Sequence, residues 1–190
     1  MKDRLLQTPC ALFVCAVIAA AAYAQADAKK PASDKRSAIV KETESNWKRA
    51  KKWTLDYIDA MPDSAMGFKP TPEVRSFAEQ MLHLAFWNFG LIEAAGGKAS
   101  PYGKDQATLE KRDDLKTKAE LRKVVEASYD NVLTAIAGID EAKLLEQVTY
   151  FNSKVTWLTV LTYALDHQTH HRGQTTIYLR LKGVTPPPEP

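Results

Sequence analysis

Apolar residues recur at the three-and-four spacing of a helix in four separate stretches of the chain. In the first, Trp47, Ala50, Thr54, Tyr57, Ile58 and Met61 share one face, and Pro62 ends the pattern because proline cannot continue a helix. A loop with Pro70 and Pro72 leads to Ser76 and Glu79, spaced as a capping box. The helix they open runs to about Ala95 and is apolar nearly all round between Met81 and Ile92, the mark of an element buried on most sides. Gly96-Gly97 stops it. After a loop holding Pro101 and Gly103, Thr117 and Glu120 form a second capping box ahead of the stripe Leu121, Val125, Ser128, Val132 and Ile136, which Gly138 ends. Asp140 caps a short helical segment through Gln147, residues 148–152 are a brief extended or turn segment, and Ser153 is expected to cap the last helix.

That last helix carries the most information. Trp157, Val160, Ala164, His167, His171, Gln174, Tyr178 and Leu181 step by three and four without a break, which puts two histidines and a glutamine on the core-facing side. Gly183 terminates it and a proline-rich tail follows. No stretch reads convincingly as a strand. Four long helices with moderate connections predict an all-α four-helix bundle.

Upstream the pattern changes character. Lys2 and Arg4 precede an apolar run at residues 10–22 and the motif Ala22-Tyr23-Ala24, the order of a secretory signal with its cleavage site. The run is shorter than the roughly 18–20 residues of a membrane span, and Leu12-Phe13-Val14 ahead of Cys15 lacks the small residues of a lipoprotein site. The expected organisation is a signal peptide at 1–24, a flexible polar lead at 25–36, a helical domain at 37–185 and a proline-rich tail at 186–190. The protein is then periplasmic or secreted, with no stable membrane anchor after cleavage.

Composition narrows the chemistry. Cleavage after Ala24 shortens the 190-residue chain to 166 residues with 24 basic against 22 acidic side chains, and these alternate along the helices. Nucleic-acid binding, which needs a clustered basic surface, does not fit. Both cysteines, Cys10 and Cys15, fall in the signal, so the mature chain has no disulfide and no thiol nucleophile. It has no G-x-S-x-G elbow either.

The four histidines are His83, His167, His170 and His171. His167 and His171 stand one helical turn apart, where two imidazoles can reach one transition-metal ion. His170 is offset from their stripe, in line with Tyr163 and Ile177. His83 lies in the most buried helix, where an imidazole needs partners for its ring nitrogens and Glu79, one turn earlier, is one candidate. No carboxylate stands three before any histidine, which excludes the di-iron bundle pattern, and H-E-x-x-H is missing. Asp166 and Gln174 are candidates to orient a ligand imidazole. Arg172 is a candidate for an anionic substrate against the plainer reading of a surface arginine, and Tyr163 is a further candidate near the site. Trp47, Trp87 and Trp157 line either a pocket or the core.

Phe68-Lys69-Pro70, Glu73-Val74-Arg75-Ser76 and His83-Leu84-Ala85 are followed by the block His167-Gln168-Thr169-His170-His171-Arg172-Gly173-Gln174 and by Leu179-Arg180-Leu181-Lys182-Gly183-Val184. Together they resemble the DinB/YfiT-like family over roughly residues 37–187. The resemblance implies an up-down-down-up four-helix bundle, a divalent metal held at His83, His167 and His171, and often a homodimer. It also implies metal-dependent transfer of low-molecular-weight thiols to electrophiles, an activity of some family members.

A three-imidazole site keeps an open coordination position, the catalytic rather than the closed structural arrangement. Imidazole suits zinc or nickel, and also iron or copper. The expected function is that of an exported metal-dependent transferase or hydrolase acting on a small molecule, with its catalytic residues unassigned. The alternative is a non-enzymatic metal-binding or stress-related envelope protein.

Overall fold

The computed structural model describes residues 36–94, 98–103 and 105–188, all within a unit that begins at Arg36. The signal segment, the polar lead up to residue 35 and the Gly96-Gly97 stop lie outside the described residues. The chain is mostly helical. Among the described residues the helices and strands are α1 (Ala38–Ala60), α2 (Phe77–Ala94), α3 (Gln106–Glu110), α4 (Lys118–Ala137), α5 (Glu141–Leu144), the strands β1 (Gln147–Tyr150) and β2 (Ser153–Thr156), and α6 (Trp157–Leu181).

Local chemistry sets most of these boundaries. Ser76 and Glu79 complete the expected box: the Glu79 carboxylate accepts from the Ser76 N–H at 2.8 Å and Ser76 Oγ from the Glu79 N–H at 3.2 Å. Thr117 Oγ1 accepts from the Glu120 N–H at 3.3 Å and opens α4. At the far end of α6, Gly183 sits at φ +75°, where glycine bears no Cβ penalty. The Val184 N–H reaches the Leu179 carbonyl and the Gly183 N–H reaches the Arg180 carbonyl, both at 3.0 Å, which forms a Schellman end.

Each of the four long helices packs against two others, in the spatial order α1, α4, α2, α6 and back to α1. Cross-contacts give the directions. Lys51 meets Asp130 while Asp59 meets Arg122, so α1 and α4 are antiparallel. Trp53 lies against Arg172 and Tyr57 against Thr176, so α1 and α6 run the same way. Gln80 meets Gln174 and His83 meets His167, so α2 and α6 are antiparallel. Glu79 meets Lys116, at the start of α4, and Asn88 meets Ser128, so α2 and α4 are parallel.

The core between them holds the fully buried Trp47, Ile58, Phe77, Leu82, Tyr129 and Ile136. Its polar centre is linked across three helices: Asn88 donates to Ser128 Oγ at 3.1 Å, and Gln168 donates to Asn88 Oδ1 at 2.6 Å.

Three features depart from the sequence expectation. Residues 147–156 form an antiparallel hairpin, with Gln147 opposite Thr156 and Tyr150 opposite Ser153, where no strand was expected. The β-branched residues Val148, Thr149, Val155 and Thr156 favour it. Ser153 is therefore a strand residue, and the cap of α6 is Thr156, whose Oγ1 accepts from the Thr159 N–H at 3.2 Å. The stretch before α4, read as loop, holds α3 and a short 3₁₀ turn at Asp113–Leu115. Asp105 caps α3 by accepting from the Ala107 and Thr108 N–H groups, and Leu109 anchors it, fully buried.

Candidate metal centre

The antiparallel contact of α2 and α6 brings His83 onto the two histidines of α6. One ring nitrogen from each of His83, His167 and His171 lies within 4.8 Å of the others. Nε2 of His83 faces Nε2 of His167 at 3.2 Å. Two imidazole nitrogens sharing one tetrahedral zinc at about 2.0–2.1 Å would stand about 3.3 Å apart, so this pair is already spaced for a common ion.

Neighbouring groups set which nitrogen each ring presents. His83 Nδ1 donates to Glu110 Oε1 at 2.8 Å, because a carboxylate accepts and does not donate, and Nε2 is left with its lone pair. The Arg75 Nε–H holds the other oxygen of Glu110 at 2.8 Å. His171 Nδ1 lies 2.8 Å from Gln80 Oε1, while Gln80 Nε2 donates to Gln174 Oε1 at 2.7 Å. The Gln80 amide is thus oriented to accept, and His171 also presents Nε2. His167 Nδ1 is buried with no hydrogen-bond partner among the described residues.

Electrostatics keep the rings neutral, as metal ligation requires. Burial pushes His167 down to about 4, and repulsion between a protonated His167 and neighbouring cationic groups, Arg75 among them, acts in the same direction. Burial likewise pushes His171 down to about 3, with His167, His83, His170 and Arg75 adding to it. For His83, burial outweighs the pull of Glu110 and holds the imidazole below its ordinary value. The His83–Glu110 contact is therefore a neutral imidazole donating to a carboxylate rather than an ion pair. Three neutral imidazoles with convergent nitrogens, two of them oriented from behind, are a donor set that fits a divalent transition metal.

The other candidate residues fall in different places. Glu79 does not reach His83; it closes the capping box and pairs with Lys69 at 3.2 Å and Lys116 at 3.4 Å. Glu110 and Gln80 hold the positions behind the ligands. Gln174 acts through Gln80 and also contacts His170 Nε2 at 2.7 Å. Asp166 and Tyr163 are exposed. Arg172 is not a surface arginine: it is 2% exposed and its guanidinium lies 5.3 Å from the centre of the Trp53 ring. The core-facing side of α6 is wider than the central stripe, since Gln168, Arg172 and Thr175 are buried while Leu181 is exposed. Trp47 and Trp157 belong to the core, and Trp87 packs edge-on against His167 with ring centres 5.7 Å apart.

Glu110 was hidden from sequence reasoning because it stands 27 residues from His83 in a segment without helical periodicity. The signal available was Asp105, a capping residue five before a carboxylate.

The sequence pattern of the DinB superfamily matches residues 46–175. Among solved structures, a DinB-like protein from Bacillus cereus is 16% identical, with a TM-score of 0.68 over 78% of this chain and 95% of its own. A DinB-like protein from Bacillus subtilis is 19% identical, with a TM-score of 0.59 over 78% of this chain and 96% of its own. A conserved protein from Enterococcus faecalis is 18% identical, with a TM-score of 0.58 over 74% and 95%. At these identities the likeness is one of fold. No curated protein matches the chain.

Proposed function

Since the chain belongs to the DinB superfamily, we propose that it is an exported up-down-down-up four-helix-bundle metalloprotein. His83, His167 and His171 would hold one divalent transition-metal ion, zinc or nickel first, for transfer or hydrolysis on a small molecule. The observation that carries this reading is the convergence of three neutral imidazoles from helices far apart in sequence, each of two held by a partner on its far nitrogen.

When bound, the ion supplies Lewis acidity and lowers the pKa of a coordinated water or thiol. The rest is the work of the chain. Arg75 fixes the Glu110 carboxylate, which fixes the His83 ring; Gln174 fixes Gln80, which fixes His171. Rings locked from behind bind metal with less loss of freedom and in one tautomer. A cavity beside His167 favours chemistry on a small molecule over metal storage or a purely structural ion.

Metal analysis of the purified protein tests the site. The wild-type chain should carry about one ion per chain, and His83→Ala and His171→Ala should lose it. Equal content in all three would refute the three-histidine site.

Export follows from the N-terminal pattern and is tested by sequencing the N-terminus of the protein recovered from the envelope fraction; an intact Met1 would overturn it. We further propose a homodimer. The exposed Tyr163, Ile177 and Leu181 on α6 support it, and light scattering measures it.

A further inference from the structure

Beside the histidines, α2, the β hairpin and α6 line a half-open cavity of about 530 Å³. Its walls include Phe86, Trp87, Gly90, Ala94 and Phe151, and His167 stands at its edge. Among the described residues no Asp, Glu, Lys or Arg lines it. Its one buried amide, Asn88, is already committed to Ser128 and Gln168. The volume is that of a site for a small organic molecule.

Two local choices in the sequence are unfavourable for folding, and both meet at this cavity. Gly90 lies inside α2, where glycine is less stable than alanine. Close packing does not require it, because a Cβ there would meet no heavy atom within 4 Å. Its missing side chain keeps the cavity open. Phe151 occupies the first central position of the hairpin turn at φ +46°, a left-handed conformation that asparagine or glycine adopts more readily. It is also 69% exposed, an uncommon position for a large apolar ring. There it packs edge-on to Tyr150 at 4.7 Å and against Trp87 at 6.1 Å between ring centres, extending the aromatic wall. Strain and lost helix stability that converge on one cavity mark it as retained for binding rather than for folding.

We propose that this cavity binds an uncharged, planar apolar part of a small molecule and presents the molecule's reactive end to the His167 side of the histidine cluster. This assignment of substrate class rests on the metal-site reading for its catalytic meaning, but the binding itself does not depend on the ion. Flat aromatic walls favour a ring that stacks or meets them edge-on, and walls without a charged group among the described residues disfavour burying an ion there.

The test is a calorimetric titration of the purified full chain with 2-naphthol, and with 2-naphthoate as the same ring system carrying a charge. Wild type should bind one 2-naphthol and quench tryptophan emission, and the metal-free His83→Ala chain should bind 2-naphthoate at least about ten-fold more weakly than 2-naphthol. Gly90→Leu, which fills the cavity while improving helix propensity, should lose at least about ten-fold in 2-naphthol affinity with metal content and melting temperature undiminished. Phe151→Asn serves as the second variant: it relieves the turn, removes the wall and should also weaken binding. His83→Ala should lose metal and keep 2-naphthol binding, which separates failure of the metal site from failure of the cavity. Unaltered affinity in a folded Gly90→Leu or Phe151→Asn chain, no binding to wild type, or equal affinity of the metal-free His83→Ala chain for the charged ring would overturn the proposal.

Discussion

Glu110 Oε1 accepts a 2.8 Å hydrogen bond from His83 Nδ1, although the two residues lie on different helices and 27 positions apart. The bond fixes the His83 tautomer and aims its other nitrogen at His167. Removing the carboxylate while keeping its shape, as in Glu110→Gln, should weaken zinc affinity by about 10–100-fold in a chelator competition, the usual cost of losing such a support. Far-ultraviolet circular dichroism should be unchanged. Unaltered zinc affinity would show that Glu110 does not tune His83.

The neutral histidines make stability depend on pH in a defined direction. Their folded values are lowered, to about 4 for His167 and about 3 for His171, below the ordinary unfolded value near 6.5. Between these limits the unfolded chain binds more protons, so stability is full above about pH 7 and falls as the pH drops through 6.5 toward 4. Urea denaturation of the metal-free chain at pH 7 and pH 5 should show the loss. His167→Gln should reduce it, and most carboxylates remain ionised in that window. A flat profile between pH 7 and 5 would contradict the buried, neutral assignment.

Thr156 and Ser153 separate two accounts of where α6 begins. Thr156→Ala should cost about 1 kcal/mol by removing the hydrogen bond to the Thr159 N–H. Ser153→Ala, on an exposed strand residue, should stay within about 0.5 kcal/mol of wild type. Chemical denaturation of both variants decides; the reverse ranking would restore Ser153 as the cap.

Arg172 packs on Trp53 inside the helix interface and should matter to folding more than to ligand capture. Arg172→Ala should lower stability by about 1–3 kcal/mol through lost packing and a lost cation–π contact. Arg172→Lys should rescue little of it, since lysine lacks the planar face. Melting curves measure this, and a wild-type melting temperature for Arg172→Ala would return it to the list of substrate contacts.

Local signals were the legible part of the sequence. The Ser76–Glu79 box, the Thr117 cap, the Gly183 stop and the stripe from Leu121 to Ile136 each depend on neighbours within one or two turns, and each is present in the structure. The three histidines that spacing and resemblance singled out do come together, because an i, i+4 pair on a core face needs only one facing partner from a buried helix. What supports them was hidden. Glu110 and Gln80 reach the rings through tertiary contacts that no periodicity encodes, and Glu79, adjacent in sequence, is drawn off to Ser76, Lys69 and Lys116. The hairpin escaped because its turn, Phe151-Asn152, has no glycine to announce it. Arg172 was misplaced because the buried side of α6 is broader than one stripe.

His83 and His167 close a span of 84 residues. Residues 16–190 contain no cysteine, so no disulfide can tie this part of the chain to itself. An ion clasped between α2 and α6 would be a reversible cross-link, joining the second helix to the last and, because unfolding takes the site apart, stabilising the folded state by mass action. Such a bridge is indifferent to thiol redox conditions and answers to metal supply instead. The protein's resistance to unfolding and to proteases would then report the free metal concentration around it.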